Sequence, residues 1–283
     1  MAITKYSDIS SFVASIYERS VFVAREQNLM SNLVSNYSAR GWMTRTFSTR
    51  PQITAETVAD GVDYSNATTF GKSSVGTLTP AEAIAQVILT DQDIETDPDG
   101  AVNDAATELG MAIAAKIDTD LTEIFSSFST DKGPGAGQAN TIADLASGVA
   151  VVRNRMKRAG DVVAVLHPYQ WHDLWVQLGQ PAATYPALGE LVTQALRDDY
   201  VATLLTIRVY VSSNVPVSGT DATGGVFNQD AIALDTRRPY RLEPERDASL
   251  RGTELNATAG YAVGLGKRPT FGVKFIGDIT EPT

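Results

Sequence analysis

The sequence predicts an α+β fold with its parts in a fixed order: a basic amphipathic arm, a long polar hairpin, one long helix, a compact α/β middle and a strand-rich tail. Three observations predict it. Apolar residues step by three or four from Val102 to Phe128 as one unbroken helical stripe. A buried-strand signal, Val162 to Leu166, is followed by helical patterns and then by an alternating strand, Leu205 to Val211. From Gly225 onward, strand signals recur with no helical period between them.

The arm comes first. Ile9, Phe12, Val13, Ile16 and Tyr17 recur at helical spacing, so an amphipathic helix is expected from Ser7 or Asp8 through Glu26. Its apolar stripe needs a partner, and the polar stretch Ser31 to Arg40 does not supply one nearby. Thr44 to Val58 then reads as extended, with Pro51 marking an edge, and Ala83 to Leu89 reads as the returning strand. Between them lies a polar, glycine-punctuated tip, Asp60 to Gly76. A two-stranded hairpin is marginal alone in water, so this one needs a surface to lie on.

Asp97-Pro98-Asp99-Gly100 stops the hairpin, and Asn103 or Asp104 can cap the next helix. Val102, Ala106, Leu109, Ile113, Ile117, Leu121, Ile124 and Phe128 form its stripe. At 1.5 Å per residue, about 27 residues span about 40 Å. Gly133 to Gly137 is a linker, and a second helix runs from Ile142 to Arg158. Its basic end, Arg153, Arg155, Lys157 and Arg158, offsets the helix dipole without invoking nucleic acid. Pro168 starts a helix with Trp171, Leu174, Trp175 and Leu178 on one apolar face, and Leu188 to Tyr200 is a further helix. The tail strands are Ala231 to Leu234, Tyr240 to Glu245, Tyr261 to Gly264 and Phe271 to Ile276.

Composition narrows the function. At 283 residues the chain can bury a sizeable core as one large domain or two modest ones. It has no Cys, which excludes disulfides and thiolate zinc sites. No apolar run approaches the roughly 18 residues of a membrane span, and Asp8, Glu18 and Arg19 interrupt any secretory core. The expected protein is cytoplasmic when made, soluble, and not membrane-bound. The net charge of −10 is uneven: residues 1–50 hold six Lys/Arg against three Asp/Glu, and residues 51–150 hold three against sixteen. An acidic whole repels phosphates, so sequence-specific nucleic-acid binding is not expected.

Candidate chemical motifs each lack a part. Gly71-Lys72-Ser73 resembles the end of a phosphate-binding loop, but Asn66 stands where its first Gly belongs. Glu95 to Gly100 resembles the start of a calcium loop, yet Ala106 replaces the bidentate Glu. His167 and His172, the only histidines, have no Cys near them and suit capping or core roles. Carboxylate pairs such as Asp91/Asp93 and Asp198/Asp199 keep open a carboxylate-dependent enzyme as a distant alternative. Neither a cofactor nor a metal nor a catalytic residue is expected.

Five segments do resemble a known family. Val13 to Met30 looks like the N-terminal arm of tailed-bacteriophage major capsid proteins, and Pro51 to Asp63 like the entry to their extended loop. Ala112 to Asp118 resembles their spine helix, Val163 to Gln170 their axial domain, and Asp230 to Ala233 with Glu245-Arg246-Asp247 their peripheral-domain strands. The resemblance covers nearly the whole chain in the right order. It implies a Hong Kong 97-type fold: arm at 1–45, extended loop at 46–95, peripheral domain with spine helix at 96–140, α/β axial domain at 141–230, and antiparallel peripheral strands at 231–283. It implies a virion subunit that assembles in the host cytoplasm with copies of itself, as hexamers and pentamers around double-stranded DNA. A separate scaffolding protein, a portal and, where present, a decoration protein are the implied partners. Encapsulin-like shells share the fold and are the nearest alternative.

On this reading the contacts between subunits fall on Phe12, Ile16 and Phe22 of the arm, on Phe70 and Lys72 of the loop, and on the charged run Arg237, Arg238, Arg241, Glu243, Glu245, Arg246 and Asp247. Some family members bond a loop Lys to a neighbour's Asn. No partner Asn or acid catalyst matches here, so only non-covalent closure is expected.

Overall fold

The computed structural model describes residues 20, 29–51, 53, 55–65, 69–96, 98–156, 160–178, 201–204 and 207–281. Apart from Ser20, the expected arm helix, with Phe12, Ile16 and Phe22, lies outside the described residues, as does the expected helix from Leu188 to Tyr200.

In chain order the elements are β1 (Ser35–Ser38), β2 (Arg45–Thr49), β3 (Ser73–Leu78), β4 (Ala81–Thr90), α1 (Asp91–Thr96), α2 (Pro98–Glu123), α3 (Ile142–Met156), β5 (Val163–Leu166), α4 (Pro168–Leu178), β6 (Val201–Leu204), β7 (Ile207–Val211), β8 (Val217–Ser218), β9 (Asp221–Phe227), β10 (Ile232–Asp247), β11 (Gly252–Leu265) and β12 (Gly272–Asp278). Two sheets carry the fold. One has the order β1-β10-β11-β4, antiparallel except for β1 beside β10. The other runs β12-β9-β5-β7-β6, with only β5 and β7 parallel. The strand-rich tail is therefore divided: β10 and β11 complete the first sheet, while β12 joins the second.

The long helix lies on the first sheet. Leu109, Ile113, Leu121 and Phe128 of the expected stripe are buried, packed with Leu255, Ala257, Ala259 and Tyr261 of β11. Alanines at Ala83, Ala85, Ala257 and Ala259 keep that face shallow, so a helix can approach it closely. The helix begins at Pro98, earlier than the expected caps at Asn103 or Asp104. Proline suits a first helical turn, where no intrahelical N–H bond is due. After Glu123 the chain tightens into a 3-10 turn, Ile124–Ser127. That turn presses Phe125 and Phe128 against β9 and β12, where a Cβ on Gly225 would sit 2.6 Å from Phe125 and one on Gly272 2.3 Å from Phe128. These two glycines let the aromatic rings join the two sheets.

The second sheet holds the α/β middle. Val163 to Leu166 is buried throughout, as a central strand should be. Ile207 and Val209 are buried while Arg208 is exposed, the alternation the sequence predicts. Leu174 of α4 is buried in the core of the second sheet, but Trp175 is 41% exposed and leaves the expected apolar face. Trp175 stands about 100° round the helix from Leu174, and its neighbour Val176 is 42% exposed, so the helix turns this side toward solvent.

The hairpin differs from its expectation. Its returning strand is β3, whose register runs Arg45↔Leu78 to Thr49↔Ser73. Ala83 to Leu89 belongs instead to β4, paired along its length with β11. Ser73–Leu78 carries Gly76 and few apolar residues, so it reads as a loop. A main-chain ladder needs few apolar side chains, and buried Leu78 with half-buried Val75 anchors this one. The first strand is also shorter than expected, ending at Thr49.

Candidate functional site

Among the described residues, the hairpin and the outer face of the first sheet gather most of the unexplained apolar surface. Ile53, Val58, Val62, Tyr64 and Phe70 are 41–64% exposed along the loop beyond β2 and β3. Arg50 partly shields Phe70: its guanidinium lies 4.8 Å from the ring centroid, and its Nη1 donates to the Phe70 carbonyl at 3.3 Å. Lys72 is exposed, one residue before β3. A loop carrying this many apolar side chains with nothing of its own to bury them has the composition of a contact surface.

The hairpin root sits on the sheet face opposite α2. Phe47 and Leu78 pack with Ala233 and Ala262, and Tyr37 lies 5.2 Å from Phe47, ring to ring. Beneath them is a carboxylate with no solvent exposure, Asp235. Arg45 Nε donates to its Oδ2 at 2.7 Å and Arg45 Nη2 to its Oδ1 at 3.3 Å, while Arg237 Nη2 donates to Oδ2 at 2.6 Å. Arg45 comes from β2 and Asp235 from β10, so this pair ties the hairpin to the sheet. The Asp235 carboxylate, with its charge-assisted bond, holds the Arg45 guanidinium above its ordinary value. Nearby, the Arg238 guanidinium lies 5.5 Å from the Trp42 ring centroid and pairs with Glu82 at 2.7 Å.

The charged run at Arg237 to Asp247 is thus largely partnered inside one chain. Arg241 pairs with Glu243 at 2.6 Å. Arg246 makes a forked bond to Asp91 at 2.6 and 2.7 Å, which holds the Asp91 carboxyl below its ordinary value. Asp247 accepts N–H bonds from Ser249 and Leu250 and the Ser249 hydroxyl, which closes the turn to β11 and lowers its own carboxyl. Glu245 is exposed.

Two carboxyl contacts on α2, at buried Asp118 and half-buried Asp120, escape the sequence reading. Asp118 is 2% exposed and accepts the backbone N–H groups of Leu29 and Met30, both at 3.1 Å. It thereby fixes Leu29 and Met30 to the long helix. Burial outweighs those bonds and pushes its carboxyl up to about 6. Asp120 accepts from Tyr261 Oη and from Lys116 Nζ, both at 2.6 Å; burial and then that carboxylate push the Tyr261 phenol far above its ordinary value. The available signal was one of position. Asp118 falls four residues after buried Ala114, on the apolar face of the helix, and Asp235 closes the apolar run Ile232-Ala233-Leu234.

The candidate chemical motifs resolve into structural roles. His167 Nδ1 accepts the Tyr169 N–H at 3.3 Å, and Gln170 Oε1 accepts the His167 N–H at 3.1 Å. This reciprocal pair caps α4. Burial lowers the His167 imidazole below its ordinary value. Gln170 is wholly buried and also donates to the carbonyls of Ala222 and Phe275. Gly71-Lys72-Ser73 leads into a strand, whereas a phosphate loop must lead into a helix. The calcium-like stretch is split between α1 and the start of α2. Asp91 is engaged by Arg246, and Asp93 shares a hydrogen bond with the Thr90 hydroxyl at 2.7 Å. Among the described residues, no three His, Asp or Glu side chains are grouped to hold a metal, and no helix is long and apolar enough to cross a membrane.

Comparison with known proteins agrees with the geometry. The family model described as phage capsid protein matches residues 76–275. A search of curated proteins finds no match. Solved structures match closely in fold. One from Mycobacterium phage Che8 has a TM-score of 0.64 at 20% identity, covering 88% of this chain and 90% of that one. The capsid of cyanophage P-SCSP1u has a TM-score of 0.67 at 13% identity, covering 88% and 87%. A virus-like particle from Pyrococcus furiosus has a TM-score of 0.60 at 9% identity, covering 93% and 98%.

Proposed function

Since this chain belongs to the phage capsid protein family, we propose that it is a major capsid subunit whose copies close into the hexamers and pentamers of an icosahedral head around double-stranded DNA. The family and the fold are those of a structural protein rather than an enzyme. The arrangement we propose is the Hong Kong 97 type, with β2 and β3 as the base of an extended loop, α2 as the spine, the first sheet in a peripheral domain and the second in an axial domain. Scaffolding, portal and decoration proteins are the proposed partners.

The observation that carries this reading is the loop beyond the hairpin root. It presents Ile53, Val58, Val62, Tyr64 and Phe70 to solvent from a root that is locked to the body by Arg45 and Asp235. A firm root and an uncovered apolar loop suit a part that is buried on a neighbour. Contacts of this kind recur at every symmetry-related position of a closed shell. The fold is shared with a virus-like particle from Pyrococcus furiosus, and an encapsulin-like compartment without DNA is the second reading.

Electron microscopy of the purified full chain, alone and with its gene neighbours, tests both. Closed shells containing DNA after packaging support the capsid reading, and empty shells loaded with a cargo enzyme support the second. A protein that stays monomeric under all of these conditions refutes both. Deleting residues 1–27 is expected to leave capsomers or aggregates, and normal shells from that truncation would show that the arm does not join subunits.

A further inference from the structure

We infer that the hairpin root is a releasable latch: Asp235 is placed to pass from Arg45 to Arg237, so that β2 and β3 can leave the sheet without stranding a buried carboxylate. The inference concerns the single chain and does not depend on the capsid reading, so either can fail alone.

One buried carboxylate serves two cations here. Arg45 grips it with one edge of its guanidinium, Nε at 2.7 Å from Oδ2 and Nη2 at 3.3 Å from Oδ1. Arg237 reaches Oδ2 with Nη2 alone, at 2.6 Å. Its Nε is buried and has no hydrogen-bond partner among the described residues. Nε and Nη2 share one edge of a guanidinium, an edge that can fork a carboxylate. Arg237 is therefore only half engaged, and the oxygen it lacks, Oδ1, is the one that Arg45 holds at the longer distance. When Arg45 withdraws, Arg237 can take both oxygens, and its orphaned donor is satisfied in the same step.

The other partner of Arg45 also has a substitute in place. The Arg45 guanidinium lies 5.1 Å from the Tyr37 ring centroid, and Lys267 Nζ lies 5.5 Å from the same centroid. Arg45, on the strand that would move, is already 29% exposed, so water can receive it. Arg237, on β10, is 5% exposed and stays with the anion. Breaking a buried pair normally leaves one charge uncompensated; this arrangement removes that cost. What still holds the root is the packing of Phe47 and Leu78 on Ala233 and Ala262, a contact with two alanines on the sheet side.

Amide exchange of the full-length free subunit reads the opening. In the wild type, amides of residues 45–49 and 73–78 should exchange about tenfold or more faster than the buried amides of β11. Arg237→Met removes the reserve cation, so an opened root would leave Asp235 buried and unpaired. The root amides should then exchange about tenfold or more slowly than in the wild type, with β11 as internal reference. A side chain that merely ties the root down gives the opposite sign, faster exchange. Arg237→Lys serves if Arg237→Met does not fold: it keeps the charge but cannot fork, and root exchange should slow about threefold or more. In Arg45→Ala, the Arg237 Nε–H resonance should move downfield as it acquires Oδ1. Root exchange that is faster or unchanged in Arg237→Met, or in Arg237→Lys where the first does not fold, would overturn the inference. So would a root that opens only together with β11, or an Arg237 Nε–H that does not move in Arg45→Ala. A chain that shows the expected exchange but never forms shells would sink the capsid reading and leave the latch standing.

Discussion

Replacing Asp235 with Ala removes the anion on which two arginines converge at the hairpin root. Asp235 has no solvent exposure, and the Arg237 side chain is 5% exposed. Without Asp235, Arg237 becomes a buried cation with no counter-charge. Breaking such a pair from one side costs about 3–5 kcal/mol. Arg45 differs, because its side chain is 29% exposed and water can solvate it. Arg45→Ala also leaves Asp235 paired with Arg237. Its loss should therefore cost only about 1–2 kcal/mol, a charged hydrogen bond discounted for exposure. Urea unfolding of the free subunit measures both costs, and the double variant gives their coupling. Arg45→Ala should also speed amide exchange in Arg45–Thr49 and Ser73–Leu78 while sparing α2, since it unties only the hairpin. The reasoning fails if Asp235→Ala costs under 1 kcal/mol, or if Arg45→Ala costs as much as Asp235→Ala.

Three further outcomes follow from named groups. The Asp118 carboxyl is pushed up from 3.8 to about 6, so the folded chain binds the extra proton between those values and this group's contribution to stability rises as pH falls through that window. The gain is up to about 3 kcal/mol, at 1.36 kcal/mol per pKa unit, and Asp118→Asn should abolish it in the difference between the two unfolding curves from pH 4 to 7. Gln170→Leu leaves the buried carbonyls of Ala222 and Phe275 and the His167 N–H without this partner, at a cost of about 2–3 kcal/mol in thermal unfolding. With no Cys and closure expected to be non-covalent, particles boiled in detergent should give one band at 30.3 kDa, and Lys72→Ala should still form stable particles; a covalent ladder that disappears in Lys72→Ala would restore a lysine cross-link.

The legible parts were those encoded in side-chain periodicity. The stripe from Ala106 to Phe128, the buried strand Val163–Leu166 and the alternation in Ile207–Val211 each repeat a local period that a core enforces on every turn or pleat. The helical cap at His167 was legible as a role, because a residue before Pro168 at a helix start has few other things to do. The family was legible too, from segments that resemble it in order along the chain.

The ladders were not legible. Nothing in Ser73–Leu78 names Arg45–Thr49 as its partner, because backbone hydrogen bonds carry no side-chain code. The division of the tail between two sheets, with β12 beside β9, depends on where Phe125 and Phe128 find glycine beneath them. The same holds for the charges. The run from Arg237 to Asp247 shows its composition in the sequence, but Arg237 meets Asp235, Arg238 meets Glu82 and Arg246 meets Asp91 only once β10 lies in its sheet. Sequence alone determined which faces must be buried, since that is a property of each segment. Tertiary structure decided which segments meet, and so which carboxylates lose water, because burial of a charge is a property of everything packed around it.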